Sequence, residues 1–253
     1  IGNWNSINEK RGISNDVWMT NRISLFKNYC LPSVINQISK NFTWLICLDI
    51  NTNEVHKKEI EKITKQYKFI NLVYVEVFNN EELCESIKKN TPKDVEYIVT
   101  TRLDNDDSLH ENFIFSIQKK IELRHGIVIS CIKGFCLKIN GKHLLTKFNY
   151  VNNPFLTLVE EKNALTSVLS MDHTKIIGNK NELKIIKNQR LWLQIIHEHN
   201  LLNKIAGIPY FNKRIFQKFN ISKENYNINL WRTVFCLTNI IILGVIRRRN
   251  ITK

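Results

Sequence analysis

YIVTTRLDNDDSLH, residues Tyr97–His110, decides how this chain is read. Tyr97-Ile98-Val99 is an apolar run of the kind that forms a buried strand. It leads through Thr100-Thr101-Arg102-Leu103 into Asp104-Asn105-Asp106-Asp107, where three of four residues are carboxylates. Ser108, with Glu111 three positions on, has the form of a capping box, so a helix is expected over Ser108–Leu123. Carboxylates crowded at the C-terminal end of a buried parallel strand repel one another unless a cation sits among them. Ligands bind at that edge of open α/β sheets. Hard divalent cations prefer oxygen ligands, and Mg²⁺ is usually shared between carboxylates and substrate phosphates. The stretch therefore reads as a strand-end metal site for a phosphorylated donor. Asp104 and Asp106, two apart in an extended chain, are expected to point the same way. The competing reading is an acid-rich helix start, where the dipole favours negative charge.

Upstream, Asp16–Gln37 has helical spacing through Trp18, Arg22, Leu25, Phe26 and Tyr29, with Pro32 opening a second short helix. Phe42–Ile50 (FTWLICLDI) reads as a buried strand ending in Asp49, His56–Tyr67 as an amphipathic helix, Ile70–Val77 as a strand and Glu81–Lys89 as a short helix. Strands alternating with helices predict a parallel α/β sheet. Downstream, Gly126–Ile139 and Lys142–Phe148 read as a hairpin through Asn140-Gly141, a strong turn signal. Ser167–Met171 reads as a strand leading into Asp172-His173, and Asn188–His199 (NQRLWLQIIHEH) as a helix with Trp192, Ile195 and Ile196 inward. The expected organisation is a nucleotide-binding half over about 1–125, a mixed β/α half over about 126–229, and an apolar and basic segment over 230–253.

With 253 residues, 43% hydrophobic and 24% charged, the chain suits one domain with a real core. Thirty-seven Lys and Arg against 23 Asp and Glu give a net charge of +14, which suits anionic partners. The Lys are scattered along helices and no nucleic-acid-binding motif is present, so nucleic acid is not an expected partner. Six Cys, at 30, 47, 84, 131, 136 and 236, form no CxxC and no zinc-ligand spacing. Cys47 and Cys131 read as small buried strand residues, and the set fits a reducing compartment. No signal peptide is visible. Leu230–Arg249 is apolar and then tribasic, short of the roughly 20 residues a span needs. It reads either as an interfacial helix with a basic end or as a core helix.

The order of elements resembles that of a GT-A glycosyltransferase: a doubly wound half, a DxD-type acidic motif, then an acceptor half. The runs WMTNRISLFKNYCLPSVINQ, FTWLICLDINT, TTRLDNDDSLH, NPFLTLVEE and RLWLQIIHEHN resemble the rhamnosyltransferase family of bacterial polysaccharide clusters, over roughly Val17 to Asn200. TTRLDNDD is the most specific of them. That family begins with a strand that supports the nucleobase, and the expectation here is either that this strand is missing from the sequence or that the first residues are divergent.

The resemblance implies a GT-A fold and a divalent metal, Mn²⁺ or Mg²⁺. It implies a nucleotide-sugar donor and a glycan or lipid-linked glycan acceptor in surface polysaccharide synthesis. One acid would touch the donor ribose and another would bind the metal. Asp106 is the expected principal ligand and Asp104 the ribose contact, while Asp107 is either a cap or a further ligand. Asp49 is a candidate for the nucleobase or ribose. Arg102 pairs either with the acids or with phosphate. His197, in the run Trp192-Leu193-Gln194, His197 and Asn200, matches a family pattern and is a candidate for the metal or diphosphate, against core packing. A general base for the acceptor hydroxyl is sought among Asp172, Glu160 and Glu161. His173 is either a metal or phosphate contact or an ordinary His. The expected activity is metal-dependent sugar transfer, with rhamnose the expected sugar. The alternatives are another sugar on the same fold, or a non-catalytic module that binds a sugar nucleotide or cation. The expected location is cytoplasmic, peripheral on the inner face of the membrane.

Overall fold

The computed structural model describes residues 15–76, 78–141, 143–178, 181–198 and 205–228. His199, Asn200 and the segment 230–253, with its apolar run and three Arg, lie outside the described residues.

The first part folds as its alternating pattern requires. Helix α1 (Asn15–Leu25) passes through a π-turn at Phe26–Cys30 into α2 (Leu31–Ile35). Pro32 lies in the first turn of α2, where a missing N–H breaks no helical bond. Strands β1 (Trp44–Asp49) and β2 (Ile70–Val75) are parallel and joined by α3 (Glu54–Thr64). Asn53 caps α3 and Asn79 caps α4 (Asn80–Lys89), each side chain accepting a backbone N–H of the first turn.

The expected parallel sheet then stops. Strand β3 (Tyr97–Thr101) pairs antiparallel with β8 (Thr157–Glu161), in register from Tyr97↔Glu161 to Thr101↔Thr157. It forms one edge of a four-stranded sheet, β3-β8-β5-β9, with β5 (Ile127–Cys131) parallel to β9 (Glu182–Ile186). Ser167–Met171 is not a strand. Ser167 takes a φ of 73°, and its N–H donates to the buried Glu160 carboxylate at 2.9 Å. The strand of this stretch is instead TLVEE, ten residues earlier, which has a partner on both sides.

The third sheet runs in the order β11 (Ile208–Pro209), β7 (Leu144–Asn149), β6 (Lys133–Lys138), β10 (Trp192–Ile196) and β4 (Ser108–Leu109). Strands β6 (Lys133–Lys138) and β7 (Leu144–Asn149) form the hairpin expected from Asn140-Gly141, with Gly141 at φ 62°. Gly126–Ile139 is two strands, not one, because β5 and β6 belong to different sheets. At the break the Cys131 carbonyl accepts from the Trp192 indole N–H at 2.6 Å and from Asn153 Nδ2 at 3.2 Å.

Two expected helices are corrected. Asn188–His199 is a strand, β10 (Trp192–Ile196), parallel to β6 and antiparallel to the two-residue β4 (Ser108–Leu109). A run buried on both faces carries no period of its own, and neighbouring strands rather than propensity decide its form. Ser108–Leu123 does not begin as a helix. The Ser108 hydroxyl donates to the Tyr29 carbonyl at 2.8 Å instead of capping, and Glu111 accepts from Lys218 at 2.7 Å. Only Phe113–Gln118 is helical, as α5.

Trp192 is fully buried and stacks on Phe155 with ring centroids 5.1 Å apart. Phe113, Ile127 and Ile129 pack in the same cluster. Pairing of β3 with β8 and of β4 with β10 carries both sheets across the expected division near residue 125. Cys131 is buried as expected, whereas Cys47 is half-buried, and Cys30, Cys47, Cys84, Cys131 and Cys136 are free thiols. Among the described residues no helix is long and apolar enough to cross a membrane.

Candidate active site

Past β3 the chain folds into a tight turn in which the Asp107 N–H donates to the Asp104 carbonyl at 3.1 Å. Asp is favoured at the first position of such turns. This replaces the extended geometry that would have aligned Asp104 with Asp106, and the three carboxylates go to three different partners. Asp104 pairs with Arg102, whose Nη2 lies 3.3 Å from Oδ1. Asp106 Oδ2 accepts from Arg22 Nη1 at 2.8 Å and lies 2.9 Å from His197 Nε2. Asp107 Oδ1 accepts the Ile195 N–H at 2.8 Å.

Each partner arrives on a different element. Arg22 comes from α1, and His197 directly follows β10. The turn is fastened to the first helix beneath it. Besides the Ser108–Tyr29 bond, the Leu109 N–H donates to Ser33 Oγ at 3.0 Å, and Cys30 Sγ lies 3.7 Å from the Asp104 carbonyl. Tyr29 and Cys30 belong to the π-turn, an irregularity frequent at functional sites. Burial and the charges of Asp106, Asp107 and Asp104 push the Cys30 thiol well above its ordinary range, so it stays neutral under the acids.

Electrostatics separate Asp106 from Asp107. Burial opposes charge on Asp106, but the His197 hydrogen bond and the Arg22 guanidinium outweigh it and hold the carboxyl below its ordinary range. Burial, then the charges of Asp106 and Asp104, push Asp107 well above the ordinary range. Asp106 thus holds its charge more readily than Asp107, whose Oδ1 serves as a buried acceptor that fixes β10. We expect Asp107→Asn to keep stability within about 1 kcal/mol in urea unfolding, because an amide oxygen can still accept from Ile195. Asp107→Ala leaves that N–H buried without a partner and should cost about 1–3 kcal/mol.

Near the acids, Arg102 holds Asp104, and its charge also reaches Asp172. Asp172 is exposed and caps the short helix α6 (His173–Ile176) through Thr174. The Thr174 hydroxyl and N–H, with weaker pulls from His173 and Arg102, hold the Asp172 carboxyl below its ordinary range. Asp49 is exposed at the C-terminal end of β1, where its Oδ1 accepts the Asn51 N–H at 2.7 Å. His173 is tied to the Asn152 carbonyl through Nδ1 and sits edge-on to Tyr150.

Glu160 and Glu161 are not brought to the acids. They lie opposite Ile98 and Tyr97 at the far end of β3, about 10–13 Å along the strand from Thr101. The Glu160 carboxylate is buried and accepts from the Thr166 N–H at 2.9 Å, the Thr166 hydroxyl at 2.6 Å and the Ser167 N–H at 2.9 Å. It organises the 166–168 turn.

Arg22 is the site residue that sequence reasoning passed over. Its signal was present: a cation within a helix that also carries the buried Ile23 and Leu25, four residues after Trp18. A charge on such a helix needs a partner, and the acidic motif was the available one.

A family model described as "Putative rhamnosyl transferase" matches residues 4–208, well over half of the chain. The crystal structure of S. aureus TarS 1-349 is similar at a TM-score of 0.45 and 12% identity, over 69% of this chain and 58% of that one. This chain thus spans less than two thirds of that solved structure's length. No curated protein matches the chain.

Proposed function

Because the chain belongs to the rhamnosyl transferase family, we propose that it is a glycosyltransferase of GT-A type, taking a sugar from a nucleoside-diphosphate donor. The donor sugar is rhamnose and the acceptor a glycan or lipid-linked glycan. The observation that carries this reading is the meeting of Arg22, Asp106 and His197 beyond the end of β3. Transfer breaks the bond from the anomeric carbon to a diphosphate oxygen and forms one to an acceptor oxygen. Charge develops on the departing diphosphate, and a proton must leave the acceptor.

The Asp106–His197 pair fits a divalent cation, Mn²⁺ or Mg²⁺. Oδ2 and Nε2 stand 2.9 Å apart, close to the separation of neighbouring ligand atoms around an octahedral ion with bonds of about 2.1 Å. Among the described residues no group of three or more His, Cys, Asp or Glu is placed to hold a metal ion. The remaining ligands would be the donor's phosphate oxygens, the usual arrangement for Mg²⁺. A cation bound there supplies positive charge to the leaving diphosphate. Asp104, held by Arg102, takes the ribose, and the exposed Asp49 takes the nucleobase or ribose. Asp172, within reach of the Arg102 charge, accepts the acceptor's proton. A cytoplasmic location, peripheral on the inner face of a membrane, suits a net charge of +14 and a lipid-linked acceptor.

Release of nucleoside diphosphate from dTDP-, UDP- and GDP-sugars, with Mn²⁺ and a glycan acceptor, tests the reading. Turnover with one donor is expected. Binding of a donor without any release, even slowly to water, would reduce the chain to a non-catalytic module. Asp172→Asn should lower kcat by about 10²-fold, the typical share of a positioned base, with donor affinity kept. Because the Asp172 carboxyl is held low, the acid limb of the wild-type rate should fall below the ordinary carboxylate range. Near wild-type turnover in the variant would take the base role away from Asp172.

A further inference from the structure

Asp106 Oδ2 receives two donors, Arg22 Nη1 at 2.8 Å and His197 at 2.9 Å, while Arg22 Nη2 reaches Oδ1 at 3.4 Å. A carboxylate oxygen has two lone pairs in its plane, so Oδ2 is saturated. The Arg22 Nη1 also lies 3.4 Å from His197 Nε2. The guanidinium therefore crowds the two atoms that would hold a divalent ion, and a dication beside it would be repelled. Side-chain exposures of 6% for Asp106 and 5% for His197 leave little water to screen that repulsion. Among the described residues, the buried Nε–H of Arg22 has no hydrogen-bond partner. A buried donor without an acceptor is rare in a settled site. Here it sits on a side chain already facing the acids, so the guanidinium has capacity for one more acceptor than the described residues supply.

We infer that Arg22 is the resident cation of this site, an exchangeable counterion that competes with a divalent metal for Asp106. Without metal, Arg22 holds the Asp106–His197 pair together. When a divalent ion takes Oδ2 and Nε2, Arg22 gives up the carboxylate and turns its guanidinium to the donor's diphosphate, whose oxygens suit its fork of N–H groups. The diphosphate part of this assignment rests on the glycosyltransferase reading. The competition for Asp106 does not.

The test uses metal alone and no donor. Mn²⁺ affinity is measured by electron paramagnetic resonance for the wild-type chain, Arg22→Gln and Arg22→Lys. Arg22→Gln removes the competing charge and should bind Mn²⁺ at least about tenfold tighter. Arg22→Lys keeps the charge and should stay within about threefold of wild type. Equal or weaker Mn²⁺ binding by Arg22→Gln overturns the inference. A readout on the unaltered chain keeps the test decisive if Arg22→Gln fails to fold. The ¹⁵N resonance of the Arg22 side-chain Nε–H, identified by its loss in Arg22→Lys, should move on adding Mg²⁺. An unmoved resonance at saturating Mg²⁺ overturns the inference. Metal-dependent movement in a chain that never turns over a sugar nucleotide would instead retain the exchange and discard the glycosyltransferase reading.

Discussion

Asp106→Asn is expected to abolish metal-supported binding of nucleoside diphosphate and to destabilise the chain at the same time. A neutral amide is a poor ligand for a hard dication, so Mn²⁺ would lose its main protein anchor. The structural cost comes from Arg22, whose Nη1 rests 2.8 Å from Asp106 Oδ2. Removing one partner of a buried ion pair costs roughly 3–5 kcal/mol, because the other charge is left uncompensated. Arg22 keeps 19% of its side chain exposed, so a loss of about 2–3 kcal/mol is the appropriate expectation. Urea unfolding reads the stability term and calorimetry with Mn²⁺ and nucleoside diphosphate reads the binding term. Preserved stability together with preserved affinity would remove Asp106 from the centre of the site.

Gly134→Ala should be the most damaging small substitution in the fold. Gly134 lies opposite Trp192 in the parallel pairing of β6 with β10. A Cβ at Gly134 would fall 2.0–2.3 Å from three carbons of the Trp192 ring. The ring has no room to withdraw, since it is fully buried, stacked on Phe155 and fixed by its N–H to the Cys131 carbonyl. Overpacking of a filled core costs about 1–3 kcal/mol and more where nothing can move. Loss of about 3 kcal/mol or failure to fold is expected, read by unfolding followed through tryptophan fluorescence. Because β10 ends one residue before His197, a variant that does fold should also misplace the imidazole and weaken metal binding. A fully stable Gly134→Ala chain would mean that the ring can move aside.

The sequence made the start of the chain legible because its signals are local. The Asn140-Gly141 turn and the strand–helix alternation over 44–101 depend on near neighbours, and the observed elements agree. What was misread depends on partners far along the chain. Ser108 and Glu111 satisfy the capping pattern, yet Tyr29 and Lys218 claim their side chains. WLQII looks like a helix face and becomes a strand because β6 and β4 lie on either side of it. The acidic motif itself was readable, but the division of labour inside it was not. Nothing in DNDD says that Asp106 meets Arg22 and His197 while Asp107 turns inward to Ile195. Those partners lie 84, 91 and 88 residues away in sequence, and only tertiary structure assigns them.

Calorimetric titration of dTDP, UDP and GDP in the presence of Mn²⁺, into wild type, Asp106→Asn and Asp107→Asn, tests the central claim most directly. Wild type should bind at least one of the three nucleotides, Asp107→Asn should bind it equally well, and Asp106→Asn should lose at least about tenfold in affinity, or about 1.4 kcal/mol. The account is contradicted if wild type binds none of them, or if Asp106→Asn binds as tightly as wild type.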